Sequence, residues 1–231
     1  MIKNLLKSKH QISIFNRTIS KAKKLKKYGA YLSYKIEELV KDKEIIITMI
    51  TDDKAVNDII RSKTFLNNVC KETTVIDMSS TKPSTALDNY KTLKKKGVYF
   101  LDAPVSGGTK GAESASLAIM VGGEKKIYKK NLKVLKMLGI PNYVGKPSSG
   151  QAAKLANQII VGITIGAVSE AIILSKKLGL KPTNVLKALK GGWADSKILQ
   201  THGLRMIKED FKARGKVASQ LKDMELSLIH I

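Results

Sequence analysis

Two short stretches carry the residue types most able to do chemistry, "DAPVSGG" (102–108) and "GQAAKLANQ" (150–158). In the first, Ser106, Gly107 and Gly108 offer one hydroxyl and two backbone N–H groups that no side chain screens. That set suits an oxygen of a carboxylate or phosphate. A tight glycine turn between two strands would use the same residues, and the later pair, Gly122-Gly123, reads as such a turn. In the second stretch, Lys154 lies early in an apolar helical run, with Asn157 one turn further on the same side. An ammonium drawn into apolar surroundings is costly unless it is paired or used. Desolvation or a neighbouring cation eases loss of its proton, which fits an acid/base role near neutral pH. The alternative is a lysine stem snorkelling out of the first turns.

Three further positions draw interest because they follow apolar, β-branched runs. Asn16, Arg17 and Thr18 follow "QISIF", "TDDKAV" follows "EIIITMI", and "SSTKP" follows "TTVIDM". In open α/β sheets, ligands bind beyond the carboxyl ends of the strands. An arginine after such a strand favours the 2′-phosphate of NADP, where an acidic residue would hold the free ribose hydroxyl of NAD. Each of the three also reads as an ordinary helix cap, with Asn16 or Thr18 capping and Arg17 solvated.

The elements that must position these residues are legible from periodicity. Residues 11–15, 44–50, 73–79, 98–105 and 117–123 read as strands, separated by lysine-studded helical stretches such as "ISKAKKLKKYG" and "PSTALDNYKTLKKKG". That alternation predicts a parallel α/β sheet with helices on both faces. From Gly150 the pattern changes to one long apolar helix followed by further helical segments and no strand. A helix so apolar is expected to be buried nearly all round, bridging two domains or forming a subunit interface. Asn157, Gln158, Ser169 and Glu170 interrupt its apolar run, so a membrane span is not expected. The domain boundary falls in "KPSSG", giving domains at 1–147 and 148–231.

Composition narrows the class. The chain has 231 residues, 43% of them hydrophobic, and a formal net charge of +23. Its only arginines are Arg17, Arg61, Arg205 and Arg214, scattered, and aromatics make up 5%. A dedicated nucleic-acid surface would show clustered cations and a stacking platform, so charge alone does not make one. Cys70 is the single cysteine, which rules out an internal disulfide and any CxxC metal site. His10, His202 and His230 lack ligand spacing. No secretory signal is visible at "MIKNLLKSKH", and the cytoplasm is the expected compartment.

Taken in order, "FNRT", "ITMITDDKAV", "IDMSSTKP", "FLDAPVSGGTKGAESASLAIMVGG", "GQAAKLANQ", "EAIILSKKLGL" and "QLKDMELSL" resemble the β-hydroxyacid dehydrogenase family, the 3-hydroxyisobutyrate dehydrogenase-like enzymes related to 6-phosphogluconate dehydrogenase. The resemblance implies a Rossmann-type N-terminal domain followed by an all-helical domain that begins with a long interdomain helix. It implies interconversion of a short β-hydroxy acid and its semialdehyde with NADP, NAD being possible. On the matching positions Lys154 becomes the catalytic acid/base. Ser106, Gly107, Gly108 and Asn157 become substrate-binding, and Asn16, Arg17, Thr18, Met49, Ile50, Ser80 and Lys222 become cofactor-binding. No metal is implied, and the full-length form is expected to be a homo-oligomer.

There are departures from the pattern. The family's GxGxxG turn and first strand are not found in these residues, and the chain reads as truncated at both ends. Gln158 stands where a second Asn is usual, Thr51 where Pro is common, and "IHI" at the end fits no family pattern. A catalytically incompetent fragment or binding module that keeps the fold is therefore the competing expectation.

Overall fold

The computed structural model describes residues 1–212 together with Leu221 and Met224. The chain divides into two compact units, one spanning Met1–Lys154 and the other beginning at Leu155.

In the first unit the strands are β1 (Ser13–Ile14), β2 (Tyr31–Leu32), β3 (Ile45–Thr48), β4 (Thr74–Asp77), β5 (Tyr99–Asp102), β6 (Val105–Ser106), β7 (Leu117–Gly123) and β8 (Gly139–Gly145). The helices between them are α1 (Ile2–Leu5), α2 (Ile19–Lys26), α3 (Ile36–Val40), α4 (Asp53–Ile60), α5 (Lys63–Asn68), α6 (Pro83–Lys94), α7 (Gly108–Glu113) and α8 (Lys125–Lys136). The helix starts follow local chemistry. Asp52 accepts from Ala55 N at 2.8 Å to cap α4, Ser62 accepts from Phe65 N at 3.1 Å to cap α5, and Pro83 opens α6.

Strands β3, β4 and β5 are parallel and in register, so Ile46, Val75 and Phe100 form one row across the sheet and Thr48, Asp77 and Asp102 another, two residues on. The sheet is nonetheless mixed rather than wholly parallel. β7 runs antiparallel to both β5 and β6, and β8 joins β7 in parallel. β1 is not part of it; β1 pairs only with β2 in a separate two-stranded sheet. Side-chain alternation splits the apolar residues between the two faces. Ile46, Val75 and Phe100 pack with Val56, Ile60, Phe65, Ala86 and Leu93 on one face. Ile76, Leu101, Ile119 and Val121 pack with Ile127, Leu135 and Leu138 on the other. Each such fully buried side chain contributes about 1.5–3 kcal/mol of transfer free energy.

The long helix α9 (Ser149–Lys177) starts in the first unit and continues into the second. There α9 is followed by α10 (Pro182–Leu189), a π-helical segment at Leu199–Gly203 and α11 (Leu204–Ile207). Val168, Ile172, Leu186 and Leu199 make the small core of the second unit. The expectation that α9 is buried all round is corrected. Only 22% of its most apolar window is buried, although by length and composition alone it could cross a membrane. Val168, Ile172 and Ser175 form a buried stripe, while Ile160, Ile163, Ile173 and Leu174 are exposed. Apolar content measures what a helix is able to bury, not what this chain supplies to cover it.

Candidate active site

The site develops from the carboxyl ends of β3, β4 and β5. Asp77 and Asp102 end neighbouring strands and both are fully buried. Burial of an anion demands hydrogen-bond partners. Asp77 Oδ1 accepts from Thr48 Oγ1 at 2.8 Å and from Ser79 N at 3.1 Å, whereas its Oδ2 has no partner among the described residues. Burial pushes the Asp77 carboxyl above the usual carboxylate range, with the bonds from Ser79 and Thr48 opposing that shift and Asp53 adding to it. The native state thus holds the Asp77 proton more tightly than the unfolded chain does. Its contribution to stability improves as pH falls through the raised pKa and worsens above it. Asp77→Asn, which keeps an acceptor for Thr48 and Ser79, is expected to melt higher than wild type at pH 8. The gain should shrink as the pH is lowered, as read by thermal denaturation at a series of pH values.

Asp102 does different work. Its Oδ1 accepts from Ser148 N and its Oδ2 from Gln151 N, each at 2.9 Å, so a side chain from the sheet satisfies the first amides of α9. Burial raises the Asp102 carboxyl too, and the backbone donors of Gln151 and Ser148 oppose it. This reach requires bare backbone on both sides. A Cβ on Gly122 would lie 2.6 Å from Asp102 Oδ1 and 2.6 Å from Gly150 N. A Cβ on Gly150 would lie 2.4 Å from Met120 O. The reading of Gly122-Gly123 as a simple turn is therefore corrected. Both residues lie within β7, paired to Asp102 and Leu101, because close packing of strand, carboxylate and helix start excludes a side chain at Gly122.

Gln151 is also fully buried. Its side-chain amide donates from Nε2 to Ser79 O at 2.8 Å and accepts at Oε1 from Thr81 N at 3.1 Å, so it grips the backbone on both sides of Ser80. Ser79 Oγ in turn accepts from Ile50 N at 2.9 Å, which ties the segment after β3 to the one after β4. Lys154, one turn beyond Gln151 on the same helix face, is 8% exposed. Met49 is exposed at the end of β3. Sequence reasoning missed Asp102 as a helix cap and Gln151 altogether. Their partners lie 46 to 72 residues away along the chain, and neither residue type marks such a role.

Ser106 ends β6, and Gly107 and Gly108 are exposed at the start of α7. Gly107 has φ +135° and Gly108 φ +60°, backbone that L side chains rarely adopt, so glycine is needed here for conformation as well as for access. In the turn after β1, Asn16 Oδ1 accepts from Thr18 N at 2.8 Å, and Arg17 is exposed. Asn157 belongs to the second unit and donates from Nδ2 to Gln158 Oε1 at 2.7 Å. Lys222 lies outside the described residues.

Comparison with known proteins shows the family. Residues 1–172 match the model of the NAD binding domain of 6-phosphogluconate dehydrogenase. Residues 148–230 match the model described as NAD-binding of NADP-dependent 3-hydroxyisobutyrate dehydrogenase. The 2-hydroxy-3-oxopropionate reductase of Escherichia coli is 37% identical, the match covering 97% of this chain and 77% of that one. Glyoxylate/succinic semialdehyde reductase 1 of Arabidopsis thaliana is 30% identical over 99% of this chain and 80% of that one. Among solved structures, the 3-hydroxyisobutyrate dehydrogenase of Mycobacterium tuberculosis, determined with L-serine, superposes with a TM-score of 0.89 at 27% identity, covering 99% of this chain and 80% of that one. The chain belongs to the 3-hydroxyisobutyrate dehydrogenase-like family of NAD(P)-dependent oxidoreductases, related to 6-phosphogluconate dehydrogenase.

Proposed function

We propose that this chain reduces a short semialdehyde acid to the corresponding β-hydroxy acid, and runs the reverse oxidation, with NADP(H) as the preferred cofactor. The observation that carries the reading is the burial of Lys154 in a helix whose first turn is bonded to the carboxyl ends of β4 and β5. That edge is where open α/β sheets take their ligands. The residues present fit a nicotinamide dinucleotide at two places, the exposed Arg17 after β1 and the exposed Met49 with half-buried Ser80 beyond the ends of β3 and β4. When bound there, the cofactor would supply the hydride for reduction of the carbonyl.

The chain's own residues do the rest. The Lys154 ammonium gives a proton from Nζ to the carbonyl oxygen as negative charge develops there, and takes it back in the oxidation direction. The Ser106 hydroxyl and the amides of Gly107 and Gly108 receive the substrate carboxylate, and Asn157 orients the substrate against Lys154. Ser80 borders the nicotinamide ring, with Met49 and Ile50 offering backbone contacts to the cofactor. Lys222 is the remaining cofactor-binding residue. The test is NADPH oxidation with 2-hydroxy-3-oxopropionate and methylmalonate semialdehyde, followed by absorbance. No turnover of either, with NADPH bound, would refute the proposal.

Asn16, Arg17 and Thr18 take the adenosine ribose, with Arg17 on the 2′-phosphate. Arg17→Ala is expected to raise the KM for NADPH about tenfold, the size of one lost charge-assisted hydrogen bond, and to leave that for NADH unchanged. Equal effects on both cofactors in steady-state assays would rule out the phosphate contact.

The exposed apolar residues of α9, Ile160, Ile163, Ile173 and Leu174, support a homo-oligomer in which a second copy covers them. Exposed Glu170 lies among them, which disfavours lipid as the covering medium. Light scattering after size exclusion in detergent-free buffer reads the oligomeric state directly.

A further inference from the structure

We propose that Gln151 is a positioning residue. It holds Ser80 in the conformation that meets the cofactor and fixes the helix turn that presents Lys154 to the same place. The inference rests on the function proposed above and adds to it a residue through which two halves of the site are set together.

The amide of Gln151 meets the C=O of Ser79 and the N–H of Thr81, the two groups that a neighbouring strand would pair on either side of Ser80. A side chain here takes the place of a neighbouring strand beyond the end of β4 at Asp77. Both contacts are in the buried interior, so each lost bond leaves an unpaired backbone group. The amide serves both at neutral pH where a carboxylate of the same shape cannot, because one partner requires a donor and the other an acceptor. The same residue's backbone N–H is held by Asp102 at 2.9 Å, so Gln151 cannot shift without releasing the first turn of α9. Thr48–Asp77–Ser79–Ile50 completes the support from the other side, through bonds of 2.8 to 3.1 Å. Lys154 follows one turn later on the same face, so any rotation of that turn moves its ammonium directly.

Glutamate tests the claim, because it is nearly isosteric and regains a donor when protonated. In Gln151→Glu at pH 8 a carboxylate faces Ser79 O. We expect the NADPH KM to rise about tenfold and kcat to fall about tenfold, the effect of about one unmade buried hydrogen bond. Relative to wild type, both should recover as the pH is lowered and the introduced carboxyl takes up a proton. Gln151→Leu should lose activity without recovery at any pH. Kinetics of Gln151→Glu like those of wild type at pH 8 would overturn the proposal. So would a fall in kcat with unchanged KM and no recovery at low pH, which is what a reduced folded fraction gives. If Gln151→Leu fails to fold, the pH series on Gln151→Glu decides alone. NADPH binding, followed by cofactor fluorescence in a Lys154→Met background, keeps the two readings apart. A binding defect from Gln151→Glu in that background supports the clamp whether or not Lys154 is the acid.

Discussion

Lys154→Met is expected to lower kcat by about 10²–10⁴-fold, the range over which a positioned general acid contributes, while NADPH binding is retained. Methionine matches the length and apolar stem of lysine but has no proton to give, so packing in the second turn of α9 is preserved and the chemistry is not. The lysine is 8% exposed, in a setting where an ammonium is kept only if partnered or used. On the role proposed for it, Lys154 delivers a proton to the substrate oxygen as hydride arrives. Steady-state kinetics with both semialdehydes, beside a fluorescence titration of NADPH, separate the chemical step from cofactor binding. Turnover of Lys154→Met close to wild type would remove Lys154 from the mechanism.

Gly122→Ala and Gly150→Ala are each expected to destabilise the protein by about 3 kcal/mol, the upper end of the usual cost of overpacking. At Gly122 the new methyl carbon would sit 2.6 Å from Asp102 Oδ1 and from Gly150 N; at Gly150 it would sit 2.4 Å from Met120 O and 2.6 Å from Asp102 O. Most of these atoms are backbone and the rest belong to a buried carboxylate, so no flexible side chain can move aside. Both substitutions press on the same junction of strand, Asp102 and helix start. Their combined effect should therefore be smaller than the sum, because the first displacement already breaks the contact that the second would break. Urea unfolding of the two single variants and the double variant measures this. Strict additivity would mean that the junction is not one unit. An activity loss out of proportion to the stability loss is also expected, since the helix displaced is the one that carries Lys154.

Much of the site was legible from residue order. The β-branched runs at 44–50 and 73–79 marked strands, and "DAPVSGG" marked bare backbone at the end of another. Its glycines do adopt left-handed φ, as their bunching implied. The helix cap expected in "TDDKAV" is there, supplied by Asp52. The elements that escaped are those whose signal is not local. β8 contains glycine, proline and asparagine, which disfavour a strand, yet it pairs along β7 at the sheet edge where Pro141 is tolerated. β2 is two residues long and exists through its pairing with β1.

What the amino-acid sequence determined by itself was the periodicity of elements, the family and the residue types available for chemistry. These depend on spacings of a few residues and on motifs that survive as strings. What only the tertiary structure decided was how those residues are held: Asp102 reaching from a strand to cap α9, Gln151 standing in for a strand beside Ser80, and two glycines thinned to let them meet. It also decided which face of α9 stays uncovered. Such contacts join residues that are tens of positions apart. Buried polar groups must be satisfied wherever the fold brings partners within about 3 Å, a condition on positions in space that no local pattern encodes.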